Sequence, residues 1–281
     1  MITRIIVDSS ADLLPAVREK CTVIPLTVRF GDEEYLDGVT IDHKTFYEKL
    51  VECDELPTTS QATPDTFSRY FQQVVDAGDQ AVVLTLSSEL SGTYQSAMIA
   101  AMDFPEQICV VDSRNVTIGS GILAELAVSL AEAGQDAKTI ADTLTREREN
   151  VRLVAVLDTL EYLKKGGRIS KTVAFAGELL SIKPVVAVVD GAVAMLGKAR
   201  GNKQANSLLI KEIEKAGGVD LGKPVLLGYT GLSDDLLQKF AQDTAEVWQE
   251  LGRAPDHAHV GSVIGTHVGP GGVAAAFFKK Q

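Results

Sequence analysis

The sequence predicts an α/β fold in two parts: an N-terminal domain with a mainly parallel sheet flanked by helices, and a C-terminal α+β domain. In the first half, short β-branched runs alternate with helical patterns, which is typical of βαβ units. These runs are almost continuously apolar, as expected for strands that are covered on both faces. The pattern changes near residue 151, so we place the domains at residues 1–150 and 151–281.

The N-terminal half contains four predicted strands, at residues 4–8, 23–30, 81–86 and 108–112. Helices are predicted between them, and Thr63, Pro64 and Asp65 supply a capping hydroxyl, a first-turn proline and an acid for one of these. Two further helices are predicted, at residues 94–102 and from Asp136 to about residue 149. A Gly-Asp pair at residues 31–32 predicts a hairpin turn.

The C-terminal half mixes strands and helices without a βαβ rhythm. Strands are predicted at residues 151–157, 185–189, 192–196, 224–229 and 259–264. Helices are predicted at residues 160–165, 173–182, 206–216 and 234–251, the second of them capped by Ser170. Asp190 and Gly191 lie between two apolar runs and predict a two-residue hairpin turn.

Composition excludes several classes of protein. Lys and Arg number 27 against 38 Asp and Glu, and the net charge of −11 argues against binding to nucleic acid. The sequence contains no uninterrupted run of about 18 apolar residues, so it predicts no transmembrane segment. The first residues do not resemble a signal peptide. The three cysteines are widely spaced, which indicates a reducing compartment. We therefore expect a cytoplasmic protein.

Nucleotide-binding motifs are absent or out of context. The sequence contains no P-loop. Two Gly-x-Gly-x-x-Ala matches occur, at residues 119–124 and 269–274, but neither has the strand and acidic residue that a dinucleotide fold requires. We expect no cofactor.

Hydroxyl side chains cluster where predicted strands lead into helices. They occur at residues 9–10, 58–60 and 87–93, and the last of these groups includes Ser91 followed by Gly92. Loops at the carboxyl ends of parallel strands bind ligands, and helix N-termini there favour an anion. Neither of the two later groups contains Lys or Arg, which favours a carboxylate over a phosphate. Each hydroxyl has a simpler interpretation as a helix cap or turn residue.

Histidine and arginine supply further candidates. His257 and His259 would share one face of a strand, which makes them a possible metal pair. No third ligand is apparent, so we expect both rings to face solvent. His267 lies among glycines, which favours a loop. Arg168 and Arg200 lie in basic segments and suit a phosphorylated ligand or an acidic partner.

Six motifs in order then resemble those of the DegV family, the fatty-acid-binding subunits of bacterial fatty acid kinase. They are TSQ (59–61), SSELSGTY (87–94), DTLEYL (158–163), GGRIS (166–170), KP (183–184) and GTHVGPG (265–271). The chain departs from the family at Ala62, where proline is common, and around Arg200.

The resemblance implies that the two domains enclose a long-chain fatty acid, held by Thr59, Ser60, Ser91, Gly92 and His267 at its carboxylate. The acyl chain would lie in an apolar tunnel. The low-charge helix predicted at residues 172–182, which carries small residues, could leave room for it. The family performs no chemistry itself and presents the carboxyl group to a separate ATP-dependent kinase, which forms acyl phosphate for phospholipid synthesis.

By the same resemblance, Arg168 and, less directly, Arg200 would contact that kinase or the acyl phosphate. One alternative is a serine acyl hydrolase or transferase, in which Ser91 is the nucleophile, His267 the base and Asp8 the orienting acid. A carrier of another small carboxylate is a second alternative.

Overall fold

The computed structural model describes residues 1–169 and 182–280, and confirms the predicted α/β class. Its strands are β1 (Thr3–Asp8), β2 (Cys21–Ile24), β3 (Thr27–Phe30), β4 (Glu33–Leu36), β5 (Thr58–Ser60), β6 (Gln80–Thr85), β7 (Ile108–Asp112), β8 (Val151–Val156), β9 (Ile182–Val189), β10 (Ala192–Arg200), β11 (Leu226–Tyr229), β12 (His257–His259) and β13 (Val273–Phe278). Its helices are α1 (Pro15–Arg18), α2 (His43–Glu52), α3 (Pro64–Asp76), α4 (Thr93–Ala101), α5 (Thr117–Glu132), α6 (Ala137–Glu147), α7 (Glu161–Lys165), α8 (Gly201–Lys215), α9 (Asp235–Asp243) and α10 (Ser262–Val268).

Four parallel strands form the N-terminal sheet, in the order β2-β1-β6-β7. The helix pairs α3–α4 and α5–α6 both pack on β6, whose last five residues are all buried. This burial on both faces explains why the strand reads as an unbroken apolar run. A small antiparallel sheet, β4-β3-β5, lies beside it.

A six-stranded mixed sheet, in the order β10-β9-β8-β13-β11-β12, forms the C-terminal part. The predicted hairpin joins β9 to β10, and Asp190 and Gly191 both have positive φ, at 51° and 83°. Positive φ at both central residues is the conformation that a type I′ turn requires. This turn was therefore correctly predicted from two residues.

Helix α5 packs against strands of both large sheets. It is buried almost all round, because one side faces β1 and β6 and another faces β8, β11 and β13. Its glycines allow this close packing, since a Cβ at Gly121 would lie 2.3 Å from the carbonyl oxygen of Asp12. The Gly-x-Gly-x-x-Ala match at residues 119–124 thus has a packing role. The domain boundary near residue 150 stays a prediction.

Several predicted elements were wrong. The strand predicted at residues 23–30 is two strands in two sheets, because Pro25 between them has no N–H to donate and the N–H of Leu26 bonds Ser9 Oγ. The helix predicted at residues 234–251 stops at Asp243, after which the chain turns and buries Trp248. The helix predicted at residues 173–182 lies outside the described residues, apart from Ile182, which begins β9.

The largest error concerns the strand predicted at residues 259–264. The strand β12 ends at His259, and the helix α10 begins at Ser262 and runs to Val268. Tertiary contacts explain why this segment is a helix: the N–H groups at the start of α10 donate to carboxylates from the N-terminal part of the chain. Strand β13, which follows α10, was not predicted.

Candidate functional site

A cavity of about 320 Å³ lies where the small sheet, helix α10 and the C-terminal sheet meet. At one end its lining is polar, with Thr59, Ser60, Gln61, Ser91, Gly92, Arg168 and His267. The remaining lining is aliphatic, with Leu26, Leu86, Leu90, Val116, Leu163, Val193, Val263, Ile264 and Val268. The structure thus brings all five residues predicted to hold a carboxylate to a single cavity.

The pair Thr59 and His267 joins the two parts of the chain at this polar end. Thr59 is the central residue of β5 and pairs with Val28 of β3. Its Oγ1 lies 2.8 Å from Nε2 of His267. His267 lies in the last turn of α10 and not in a loop, so its direction is fixed by the helix.

Burial keeps the imidazole of His267 neutral. Burial, and then the positive charge of Arg168, lower the pKa of His267 from its ordinary value of 6.5 to about 4. Its Nδ1 is buried and has no hydrogen-bond partner among the described residues. A buried N–H without an acceptor is rarer than an unpaired acceptor, which favours the tautomer with the proton on Nε2. In that tautomer Nε2–H donates to Thr59, and the Thr59 hydroxyl is free to donate into the cavity.

Two glycines make room for this arrangement. A Cβ at Gly166 would lie 2.3 Å from Nδ1 of His267 and would displace the ring. A Cβ at Gly92 would lie 2.2 Å from Oε1 of Gln61, whose amide Nε2 donates to Ser96 at 2.9 Å. Close approach, and not backbone conformation, therefore explains glycine at position 92.

Only some of the hydroxyl side chains in the cluster at residues 87–93 face the cavity. Ser91 lines it, and its Oγ also accepts the N–H of Thr93 at 3.2 Å. Ser87 Oγ accepts the N–H of Glu89, and Ser88 Oγ donates to Asp112 at 2.6 Å, so both stabilise the loop. The simple interpretation as turn residues holds for these two.

Arg168 is the sole charged side chain among the described residues that line this cavity. Its Nη1 donates to the carbonyl oxygen of Gly166 at 2.6 Å, and its Nε to that of Leu90 at 3.3 Å. These bonds hold the guanidinium beside His267. Arg200, in contrast, is exposed at the end of β10, outside the lining of the cavity. The predicted pair of arginines thus occupies two different environments.

An apolar pocket of about 70 Å³ adjoins the cavity and shares five lining residues with it. Small residues form much of its wall, namely Ala155, Ala187, Gly228, Gly272 and Ala274. Ala155 lies on β8, in the interior of the sheet, yet is only half-buried because it faces this space. The site therefore combines a polar end with an aliphatic extension. Sequence patterns gave no signal for this wall, since its residues come from many elements.

A larger cavity of about 470 Å³ lies elsewhere and is lined by Arg114, Arg148, Glu149, Arg152 and Lys215 among others. Its charged groups largely satisfy each other: Arg114 pairs with Glu149 at 3.2 Å, and Lys215 pairs with Glu212 at 2.6 Å. Arg148 donates to the carbonyl oxygen of Asp112. These contacts give it a structural role, and we do not consider it the primary site.

The hydrogen bonds of a Ser-His-Asp triad are not formed among the described residues. Ser91 Oγ pairs with Thr93 Oγ1 at 2.9 Å, and His267 pairs with Thr59. Asp8 accepts from the N–H of Leu86 at 2.7 Å and from Ser10, within the N-terminal part. The three groups of the hydrolase alternative are thus each bonded to other partners.

The two histidines of the predicted pair lie in different environments, and only His259 has a packing role. His259 is stacked between Tyr47 and Tyr229, with ring centroids 5.2 and 4.4 Å away, while His257 is exposed. In the part of the chain that the structure describes, no group of three or more His, Cys, Asp or Glu side chains could hold a metal ion. None of the helices described there combines the length and the apolar character needed to cross a bilayer.

The lowered pKa of His267 predicts a pH dependence of stability. Between about pH 6.5 and pH 4 the unfolded chain binds a proton that the folded chain does not, so the free energy of unfolding falls as pH falls. The expected slope from this group is about 1.4 kcal/mol per pH unit. Urea denaturation across this range should show a smaller slope for His267→Gln than for the wild type. The exposed His257→Gln variant is the control and should keep the wild-type slope; equal slopes for all three proteins would contradict the assignment.

Comparisons with known proteins identify the family of this chain. A sequence model of the DegV family, described as an uncharacterised protein of that family, matches residues 3–280. A DegV domain-containing protein of Caldanaerobacter subterraneus subsp. tengcongensis is 35% identical over 92% of this chain and 91% of its own. A fatty-acid-binding DegV family protein from Thermus thermophilus has 31% identity and a TM-score of 0.87, covering 100% of both chains. A stearic acid-binding protein from Eubacterium ventriosum has 28% identity and a TM-score of 0.85, covering 99% of both. The chain therefore belongs to the DegV family.

Proposed function

We propose that this protein binds a long-chain fatty acid and presents its carboxyl group to a separate ATP-dependent fatty acid kinase. The observation that carries the binding step is the Thr59–His267 pair, set beside Arg168 at the polar end of an otherwise aliphatic cavity. The Thermus thermophilus and Eubacterium ventriosum relatives, which bind fatty acid and stearic acid, support this ligand class.

The polar end suits a single carboxylate. Burying an unpaired carboxylate is costly, and hydrogen-bond donors offset that cost. The hydroxyls of Thr59, Ser60 and Ser91 supply donors without adding charge, and Arg168 supplies one positive charge. A neutral His267 donates to Thr59 and thereby directs the Thr59 proton to the ligand. Gly92 leaves room for the amide of Gln61, which lines the same polar end.

The aliphatic part suits an acyl chain. Each methylene removed from water contributes about 0.8 kcal/mol, before the entropy cost of binding. Leu163, Val193, Ile264 and Val268 line both the main cavity and the adjoining pocket, so they connect the head-group end with the Ala155 end. We infer that the chain runs from Thr59 toward Ala155.

In this proposal the protein binds and presents the fatty acid but performs no chemical step itself. The sequence has no P-loop, and the hydrogen bonds of an acyl-transfer triad are not formed among the described residues. We infer that the kinase supplies ATP and performs phosphoryl transfer in the cytoplasm, so that acyl phosphate becomes available for phospholipid synthesis. Arg168 and the exposed Arg200 are the side chains that we assign to the kinase or to the acyl phosphate.

The most direct experiment identifies the lipid in the purified protein. Organic extraction followed by mass spectrometry should recover a long-chain fatty acid from protein expressed in a lipid-replete host. Recovery of a different carboxylate would support the carrier alternative. Turnover of a p-nitrophenyl acyl ester that is lost in Ser91→Ala would support the hydrolase alternative instead.

Removing a head-group hydroxyl should weaken binding. Thr59→Val and Ser91→Ala each remove one donor, and we expect a loss of about 1–3 kcal/mol in affinity for hexadecanoate. Titration calorimetry or displacement of a fluorescent fatty acid measures this loss. Thr58→Val is the matched control, because Thr58 lies on the same strand but is exposed and outside the lining of the cavity. Unchanged affinity in both test variants would refute the head-group assignment.

Filling the apolar pocket should shorten the preferred chain. Ala155→Phe places a ring in this pocket, so each methylene excluded from it costs about 0.8 kcal/mol of affinity. Affinities for a series from decanoate to octadecanoate should fall steeply for the long members and little for the short ones. Ala192→Phe, at an exposed position on β10, should leave the series unchanged. Equal weakening of all lengths would place the tail elsewhere.

The two arginines should separate binding from presentation. Arg200→Ala changes an exposed residue outside the cavity, so we expect unchanged fatty acid affinity but slower acyl phosphate formation by the kinase. Arg168→Ala changes the cavity itself, so we expect both quantities to fall. Arg69→Ala, an exposed ion-pair residue on α3, serves as the control. Wild-type turnover in Arg200→Ala would remove that residue from the presentation surface.

A further inference from the structure

Two buried carboxylates hold the first residues of α10, the helix that carries His267. The N–H of Gly261 donates to Asp12 Oδ1 at 2.8 Å. The N–H and the hydroxyl of Ser262 donate to Asp37 Oδ1 at 3.0 and 2.5 Å. Asp12 and Asp37 are only 6% and 3% exposed. A C-terminal helix is therefore anchored by residues from the beginning of the chain.

Asp12 also holds a second wall of the cavity. Its Oδ2 accepts the hydroxyl of Thr117 at 2.5 Å. Thr117 has φ +49°, a conformation that is strained for a β-branched residue and that the surrounding contacts must stabilise. Thr117 lines the apolar pocket, and its neighbour Val116 lines both that pocket and the cavity. One carboxylate thus connects the start of α5 with the start of α10.

The contact at the start of α10 determines the position of its end. Ser262 and His267 are five residues apart, so the rise of the helix between them is about 7.5 Å. The middle of the helix is tightly packed, because a Cβ at Gly265 would lie 2.5 Å from the ring of Phe46 and 2.8 Å from the hydroxyl oxygen of Tyr47. A shift at Ser262 is therefore passed to His267 and to its contact with Thr59.

Helix capping alone does not explain why Asp12 and Asp37 are buried. Asp42 and Asp136 cap α2 and α6 with exposed carboxylates, at 2.7 Å from the N–H groups of Thr45 and Thr139. Asp12 is buried, so its charged form loses much of its hydration, and this raises its pKa to about 7. Asp37 Oδ2 is buried with no hydrogen-bond partner among the described residues. An exposed cap would give similar hydrogen bonds without this cost.

We propose that Asp12 and Asp37 are positioning residues for the head-group site: by holding the start of α10 they place His267 against Thr59, and so set the preference of the cavity for a carboxylate. This inference rests on the proposed fatty acid binding. Neither acid lines the cavity, so each acts through α10 and, for Asp12, through Thr117.

The test compares two ligands that share a tail. Hexadecanoic acid uses the head-group contacts fully, whereas methyl hexadecanoate has no carboxylate. The dissociation constant of the ester divided by that of the acid therefore measures head-group recognition. Alanine removes the oxygens that accept these hydrogen bonds, so we expect Asp12→Ala and Asp37→Ala to reduce this ratio by about 3- to 10-fold, with little change for the ester. In the same variants, the imidazole NMR signals of His267 should shift, because its contact with Thr59 is altered.

Asp136→Ala is the matched control, since it removes an exposed cap from a helix that carries no site residue. It should keep the wild-type ratio. If the Asp12 and Asp37 variants lose the same affinity for both ligands, or lose none, the ratio stays at its wild-type value. Either result would leave these residues with a structural role only and overturn the inference.

A milder variant covers the case in which the Asp37 variant does not fold. Ser262→Ala removes only the hydroxyl bond to Asp37 and leaves the backbone N–H bond in place. It should lower the same ratio in the same direction, and an unchanged ratio would overturn the role of Asp37. Failure of the wild type to bind hexadecanoic acid would refute the proposed function itself, which distinguishes the two failures.

Discussion

The site depends on one contact across the molecule, the 2.8 Å approach of Thr59 Oγ1 to His267 Nε2. Thr59 comes from a short strand of the N-terminal half, and His267 from the last turn of a seven-residue helix near the end of the chain. Neither element is stable alone, because short strands and helices of this length depend on tertiary packing. The head-group end of the cavity therefore exists only once both halves have packed together.

The electrostatics of the cavity follow from how little charge it contains. A site built from several arginines would hold an anion strongly and would pair poorly with a long aliphatic wall. Here hydroxyl groups and a neutral imidazole surround Arg168, whose side chain is itself held by carbonyl oxygens. Donors that carry no charge lower the cost of burying a carboxylate. This balance suits the proposed role, in which the protein holds a fatty acid and presents its carboxyl group to a kinase.

Local patterns were sufficient for part of the fold. The buried parallel strands and the turn at Asp190 and Gly191 follow from apolar runs and from turn chemistry, which act over a few residues. The helix α10 could not be predicted in this way, because the carboxylates that bond its first residues lie 249 and 225 positions earlier in the chain. The hydroxyl and histidine motifs identified the polar end of the cavity. Its aliphatic wall had no signal, since Val116, Ala155 and Val193 look like ordinary core residues until packing leaves space beside them.

Several departures from ordinary local rules occur at this cavity or in the elements that hold it. Thr117 has a left-handed backbone, Asp37 and His267 each keep one buried polar atom without a partner among the described residues, and Ala155 is only half-buried inside a sheet. Each feature costs folding free energy, and a protein under selection for stability alone would repack such positions. A ligand-binding role accounts for the open space beside Ala155, because a bound acyl chain would bury that aliphatic surface while its carboxylate accepts the hydroxyl proton of Thr59.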